Sequence, residues 1–289
     1  MTSPSILPGI HPGLSREQYD GIEAINQSAL KKLGTLTPAQ WKYLREHPEP
    51  PTEALAFGQA VHLACYEPSR FAVEVVAAPD CDRRTKAGKE EWERFNTAAA
   101  GKIVMSADEY ATLGAIQRAV MAHPAASKLI AKAGDRECSA VWRDDETGTL
   151  CKARLDQLTT ARNAIIDLKT TRNAAPGAFE RDVYDYGYHF QAAFYADGIA
   201  AIEGHEPPCV VLIAVDKEWV CEIGAEAVAV YEIEPAAMEL GRIEYRRALA
   251  LYADCVRTGK WPGYSSRIEP ISVPAFRLRK ENIETGVEA

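Results

Sequence analysis

Three acidic side chains stand on consecutive β-rich segments near the middle of the chain. Glu137 opens ECSAVWR, Asp156 lies in LCKARLDQL and Asp167 lies in AIIDLKTT, with the turn-forming stretches DDETGT and TTARN between them. This pattern predicts a three-stranded antiparallel meander. If the three carboxylates meet across the strands, they form a set of oxygen ligands for a divalent cation.

The centres of the two turns indicate that the carboxylates do meet. If DDETGT is centred on its middle peptide bond, Asp156 lies opposite Glu137, and if TTARNA is centred likewise, Asp156 lies opposite Asp167. The row would have Cα spacings of roughly 4.5–5.5 Å, so its charges need protonation or a cation, and oxygen ligands favour Mg²⁺ or Mn²⁺ over zinc. The alternative is a turn displaced by one residue, which moves a carboxylate to the other face.

Lys169 is predicted on the same strand face as Asp167, about 6.6 Å further along, because side chains alternate at ~3.3 Å per residue. An ammonium group there could orient an attacking water and neutralise the charge that develops during phosphoryl transfer. The alternative is a simple ion pair within one strand, since an isolated Asp-x-Lys is common.

Further residues of the meander could contact phosphate. Lys152 and Arg154 alternate with Asp156 and share its face, so they could bind phosphate or only balance the acidic charge. Thr170 and Thr171 close AIIDLKTT and could contact phosphate or only end the strand.

Two predicted helices carry other candidate residues. In TEALAFGQAVHLAC, Gly58 lies one turn before His62, which leaves space for close packing or for a ligand beside the imidazole. In YHFQAAFYADG, Gln191 and Tyr195 share a face because they are four residues apart. The alternative for His62 is a histidine that only packs in the core, and the alternative for Gln191 and Tyr195 is an ordinary polar helix surface.

The elements that must position these residues indicate a mixed fold. Helical patterns dominate 16–132 and 176–203, a strand is predicted at 209–215, and a long helix over 235–259. The predicted fold class is therefore α/β or α+β, with a mixed central sheet that contains the antiparallel three-strand meander and is flanked by helices. A single domain is predicted over 15–265, with an irregular segment at 1–14 and a tail at 266–289.

The composition is that of an ordinary globular protein. Of 289 residues 47% are hydrophobic, and the net charge is -8. The charge argues against a surface coated with cations for nucleic acid, but not against a locally basic channel or a metal that bridges acids to phosphate. The N-terminus has no signal-peptide pattern and no segment approaches the roughly 18 apolar residues of a membrane helix, so a cytoplasmic location without membrane contact is expected.

In this order, GQAVH, a lone Glu, RLD, IIDLKTT and QAAFY resemble the PDDEXK nuclease superfamily and, within it, the RecE-like exonucleases (exodeoxyribonuclease VIII) of phages and prophages. The stretches CDRRTKAGKEEWERF, SAVWRDDETGTLCKARLDQL, YDYGYHFQAAFYADG and ADCVRTGKWP are also similar to this family. The resemblance covers about residues 10–265 and implies a PDDEXK restriction-endonuclease-like core.

The resemblance implies a metal centre. It assigns metal binding to His62, to the carboxylates of Asp156 and Asp167, and to the backbone carbonyl of Leu168. The implied cofactor is Mg²⁺, for which Mn²⁺ can substitute. An iron-sulfur cluster, which some relatives carry on cysteines near the C-terminus, is not expected because only Cys255 lies in that region.

The resemblance also implies catalytic roles. Lys169 matches the lysine near the nucleophilic water, and Gln191 and Tyr195 match an element that supports this lysine and contacts the substrate. Glu137 matches a glutamate whose role varies among relatives.

The implied activity is that of a metal-dependent exodeoxyribonuclease. It would degrade linear double-stranded DNA from 5′ to 3′ and leave 3′ single-stranded overhangs for recombination. The implied partners are a RecT-like single-strand annealing protein and further copies of the chain in a tetrameric ring. Two alternatives stay open: an endonuclease of the same superfamily, and a catalytically inactive DNA-binding module with this fold.

Overall fold

The structure is a computed structural model that describes residues 6–50, 52–205, 208–274 and 277–278. Its strands are β1 (Gly9–His11), β2 (Val75–Ala77), β3 (Ile103–Met105), β4 (Gly134–Arg143), β5 (Leu150–Thr159), β6 (Ala164–Thr171), β7 (Cys209–Asp216) and β8 (Val228–Glu232). Its helices are α1 (Arg16–Asp20), α2 (Gln27–Thr35), α3 (Pro38–Glu46), α4 (Glu53–Tyr66), α5 (Pro68–Glu74), α6 (Lys86–Ala98), α7 (Ala107–Ala122), α8 (Pro124–Ile130), α9 (Pro176–Asp185), α10 (Tyr188–Glu203), α11 (Val220–Ile223) and α12 (Pro235–Thr258).

A mixed sheet forms the centre of the fold. Its strand order is β1-β4-β5-β6-β7-β8, and every neighbouring pair is antiparallel except β6 and β7, which are parallel. Helices α9 and α10 lie between β6 and β7 in the chain, as the crossover of a parallel pair requires. The predicted fold class, a mixed sheet with the meander β4-β5-β6 and flanking helices, is confirmed.

Both hairpins of the meander have the predicted registers. Cys138 lies opposite Leu155 in the first hairpin, and Gln157 lies opposite Ile166 in the second. These pairings are the ones that the turn centres predict. They bring Glu137, Asp156 and Asp167 to neighbouring positions on three adjacent strands.

Separate apolar cores cover the two faces of the sheet. Residues of α2, α10 and α12 pack on one face, and residues of α4, α7 and α8 pack on the other. Ile165 belongs to the first core and Ile166 to the second, and both are fully buried. Strand β6 is therefore held from both sides, which fixes the position of Asp167 and Lys169.

The ends of the chain differ in part from expectation. The segment 1–14, predicted to be irregular, contains β1, which pairs with β4. That prediction is wrong for β1, while residues 1–5 lie outside the described part of the chain. Residues 266–274 form neither helix nor strand, and the domain bounds 15–265 remain a prediction. Among the described residues, none of the helices has both the length and the apolar character needed to cross a membrane.

Candidate functional site

Helix α4 places the His62 imidazole next to the carboxylates of Glu137 and Asp156. His62 Nδ1 lies 3.1 Å from Asp156 Oδ1 and 3.5 Å from Glu137 Oε1. One ligand atom from each of these residues lies within 4.8 Å of the other two, a spacing that could hold a metal ion. A Cβ added at Gly58, one turn before His62, would meet open space, in agreement with the predicted room for a ligand.

Strands β4 and β5 change faces at the position that carries these carboxylates. Cys138 packs in the core beneath α10, whereas Arg136 donates a hydrogen bond of 2.7 Å to a carbonyl of α8 on the opposite side. Regular alternation would place these two on one face. Leu155 and Gln157 of β5 are separated in the same way. Glu137 adopts a φ of 46°, a left-handed conformation that costs a non-glycine residue about 1–3 kcal/mol, at the point of reversal.

The remaining charged pair lies on β6, where alternation places Asp167 and Lys169 on one face as predicted. Lys169 Nζ is 2.6 Å from Asp167 Oδ2. Gln191 of α10 connects the two, because its Nε2 donates to Asp167 Oδ1 at 2.9 Å and its Oε1 accepts from Lys169 Nζ at 3.2 Å. Tyr195, one turn further along α10, is buried and lines the cleft beside the site.

Leu168 connects the two groups through its backbone. Its N–H donates to Asp156 Oδ2 at 2.8 Å. The paired positions of β5 and β6 end at Gln157 and Ile166, so beyond that point the Leu168 backbone faces a side chain instead of a strand. The N–H and carbonyl of one residue in an extended strand point to the same neighbouring strand. The Leu168 carbonyl therefore also faces the acidic cluster, which consists of Glu137, Asp156 and Asp167.

The site is strongly anionic, and two protonated side chains compensate for this charge. Burial alone would lower the pKa of His62, but the charge of Asp156 and hydrogen bonds to Asp156 and Glu137 raise it to about 10. Burial lowers the pKa of Lys169, but the charges of Asp167 and Asp156 raise it above its ordinary value. Burial and the charge of Asp156 raise the pKa of Asp167 to about 6. At Asp156 burial raises the pKa, but the charges of His62 and Lys169 outweigh it and lower the pKa below its ordinary value.

Two buried carboxylate oxygens of this cluster have incomplete hydrogen bonding. Glu137 Oε1 has only His62 Nδ1, at 3.5 Å, and Asp167 Oδ2 has only the Lys169 ammonium, at 2.6 Å. A buried carboxylate oxygen with so few donors is unfavourable. Carboxylate oxygens and an imidazole nitrogen are a donor set that a divalent cation accepts, so the residues present fit a metal centre.

A cleft of about 420 Å³ opens beside the cluster, and Arg16, Arg70 and Arg154 contribute to its wall. Arg154 Nε lies 3.2 Å from Glu137 Oε2, and its Nη1 donates to the Leu14 carbonyl at 3.0 Å. Arg16 and Arg70 pair with acids of their own helices or helix caps. The structure thus places Arg154 next to the site, where its predicted contact with phosphate stays a prediction.

The predicted phosphate contact of Lys152 is wrong. Only 5% of Lys152 is exposed, and its Nζ donates to the carbonyls of Tyr19, Ile22 and Asp20 at 2.8, 2.9 and 3.2 Å. The ammonium group fastens the N-terminal segment to the sheet, so it has no free donor for DNA.

The predicted phosphate contact of Thr171 is also wrong. Its hydroxyl is buried and donates to Asp182 Oδ2 of α9 at 2.5 Å. Thr170 is half-buried, and alternation places it on the face opposite Asp167, so its phosphate contact stays a prediction.

Tyr66 is a side chain at the site that the sequence did not lead us to predict. It lies one turn after His62 on α4, with ring centroids 6.2 Å apart, and only 2% of it is exposed. The signal was the spacing of four residues from a candidate ligand, which places both side chains on one helix face.

Comparisons with known proteins agree with this fold. Residues 27–273 match the sequence profile of a PDDEXK-like domain of unknown function (DUF3799). The solved structure of a "putative exonuclease" from Eubacterium rectale is similar over 92% of this chain and 97% of its own, with a TM-score of 0.52 and 13% identity. The structure of SSO0001 is 16% identical over 78% of this chain and 85% of its own, and its TM-score of 0.29 supports no argument. No curated protein matches the chain.

Proposed function

The chain belongs to the PDDEXK-like domain family DUF3799, and from that premise we propose that it is a metal-dependent nuclease that hydrolyses phosphodiester bonds in DNA. One observation carries the proposal. His62, Glu137 and Asp156 converge where β4 and β5 change faces, and Asp167 and Lys169 lie beside them on the next strand.

Mg²⁺ is the proposed cofactor, with Mn²⁺ as a substitute, held by His62, Asp156, Asp167 and the Leu168 carbonyl. Such an ion lowers the pKa of a bound water and polarises the scissile phosphate. Glu137, whose buried Oε1 has only the contact with His62 Nδ1 at 3.5 Å, is a further candidate ligand.

Lys169 has a defined role in this proposal. In the metal-free protein the charges of Asp167 and Asp156 outweigh burial and raise its pKa, so it is an ammonium group at neutral pH. Gln191 and Asp167 fix its Nζ, so it can orient the attacking water and stabilise the negative charge of the transition state with little reorganisation. Tyr195 forms part of the cleft wall and is proposed to contact the substrate.

The proposed substrate is linear double-stranded DNA, degraded from 5′ to 3′ to leave 3′ overhangs for recombination. Support for this finer proposal comes from the order of motifs shared with RecE-like exonucleases of phages and prophages. On the same ground we propose a tetrameric ring and a RecT-like annealing partner, and the location that we propose is cytoplasmic.

Digestion of two forms of one DNA tests this proposal. With Mg²⁺, the purified protein is expected to degrade linear duplex and to spare covalently closed circles, and EDTA is expected to stop the reaction. Cutting of closed circles would indicate the endonuclease, whereas no metal-dependent cleavage of any DNA would indicate the binding module. Duplex labelled at one 5′ or one 3′ end gives the polarity.

Variants connect the activity to the site. Asp167→Ala and Lys169→Ala are expected to reduce cleavage at least about 100-fold, because each removes charge stabilisation from the transition state. Lys128→Ala, at an exposed position of α8, is the matched control and should retain activity. A folded Lys169→Ala protein with full activity would contradict the proposed role of Lys169.

A further inference from the structure

The hydroxyl of Tyr66 is a buried polar group without a hydrogen-bond partner. Tyr66 is 2% exposed, so no open solvent replaces that partner. A buried tyrosine usually finds a partner for its hydroxyl, because leaving the group unpaired is unfavourable. The exception therefore calls for a physical reason.

Two members of the acidic cluster also have buried oxygens with incomplete hydrogen bonding. Glu137 Oε1 has only His62 Nδ1, at 3.5 Å, and Asp167 Oδ2 has only the Lys169 ammonium, at 2.6 Å. Among the described residues Gln157 has a further unpaired oxygen, but its amide donates to carbonyls at the end of α8 and does not belong to the cluster. Incompletely paired oxygens are expected where a bound group satisfies them.

The carboxylates of the cluster act on Tyr66 electrostatically. Burial raises the pKa of its hydroxyl well above 10, and the charges of Asp156 and Asp167 raise it further. The group is therefore neutral at physiological pH, and it can both donate and accept a hydrogen bond. Tyr66 also lies on the face of α4 that carries His62, the candidate metal ligand.

We propose that Tyr66 is a positioning residue of the metal centre, whose hydroxyl joins the hydrogen bonds around a divalent cation held by His62, Asp156 and Asp167. This inference rests on the proposed function, since it needs a cation at the site. Hard cations such as Mg²⁺ keep several water molecules when they bind proteins. Those waters and the ligating carboxylates supply the partners that the hydroxyl lacks.

Metal binding by Tyr66→Phe tests the inference. Phenylalanine keeps the ring and removes only the unpartnered hydroxyl. We expect the affinity for Mn²⁺, measured by calorimetry on metal-free protein, to fall about threefold to tenfold, the effect of one hydrogen bond. The melting temperature of metal-free Tyr66→Phe should be equal to or higher than that of the wild type, because an unpaired buried group is removed. Saturating Mn²⁺ should raise the melting temperature of Tyr66→Phe by less than it raises that of the wild type.

Tyr231→Phe is the matched control, since the Tyr231 hydroxyl donates to the Ala174 carbonyl at 2.6 Å. Its metal-free melting temperature should fall while its Mn²⁺ affinity stays unchanged. A Tyr66→Phe protein that behaves like this control, with lower stability and unchanged affinity, would overturn the inference alone. If the wild type binds no Mn²⁺, the proposed function fails together with the inference.

Discussion

Metal affinity should depend steeply on pH, because His62 carries a proton in the metal-free site. Its pKa of about 10 means that it is an imidazolium at neutral pH, whereas an imidazole must be neutral to bind a metal. Each ion bound should therefore displace one proton. The dissociation constant should fall about tenfold per pH unit below pH 10, or about 30-fold between pH 7 and 8.5.

Asp167 adds a second dependence at lower pH. Its pKa is raised to about 6, so the carboxyl is protonated below that pH and must lose its proton before it binds a cation. As pH falls through about 6, the loss of affinity should therefore steepen from one to two decades per pH unit. Because the pKa of Asp167 is raised, its protonation begins to weaken metal binding near pH 6. A lowered pKa would have moved this loss of affinity to more acidic pH.

Calorimetry in two buffers of different ionisation enthalpy measures the proton release directly. At pH 7.5 the wild type should release about one proton per Mn²⁺ bound. His62→Gln should bind more weakly, release no proton and show a flat affinity between pH 7 and 8.5. A wild-type affinity that does not change over this range, with no proton released, would refute the reasoning on His62.

Three further predictions concern neighbouring residues. Lys152→Met should lower the free energy of unfolding in urea by about 1–3 kcal/mol, because buried carbonyls lose their donor, and should leave DNA affinity unchanged. The reverse result would restore Lys152 as a phosphate contact. Thr171→Val should cost about 1–2 kcal/mol in the same assay, because Asp182 loses a hydrogen bond, and unchanged stability would contradict this. Gln191→Ala should slow single-turnover cleavage at saturating metal about tenfold, since it frees Lys169 and removes a donor from Asp167, and an unchanged rate would contradict that role.

The strand registers could be predicted because local turn chemistry determines them. In the first turn the Asp144 carboxylate accepts a hydrogen bond of 2.9 Å from the Thr147 N–H, and Gly148 has a φ of 70°. These contacts lie within six consecutive residues, so the sequence of DDETGT is sufficient to centre the turn. The period of two along β6 then placed Asp167 and Lys169 together.

Other features could not be predicted because they depend on distant segments or on residues of unexpected conformation. The carbonyls that hold Lys152 belong to residues 130 or more positions earlier in the chain. The left-handed backbone of Glu137 has no signal in its residue type, since glutamate rarely adopts it. Regular alternation was therefore assumed along the whole of β5, although the structure reverses it next to Asp156.

DNA hydrolysis should depend on a divalent cation held at the acidic cluster. Single-turnover cleavage of end-labelled linear duplex by wild type and Asp156→Asn tests it most directly. Asparagine keeps the shape and an acceptor for the Leu168 N–H, so the fold should survive the loss of charge. We expect Mg²⁺-dependent cleavage by the wild type and a rate at least about 100-fold lower for Asp156→Asn. Equal rates for the two proteins, or wild-type cleavage that persists in EDTA, would contradict it.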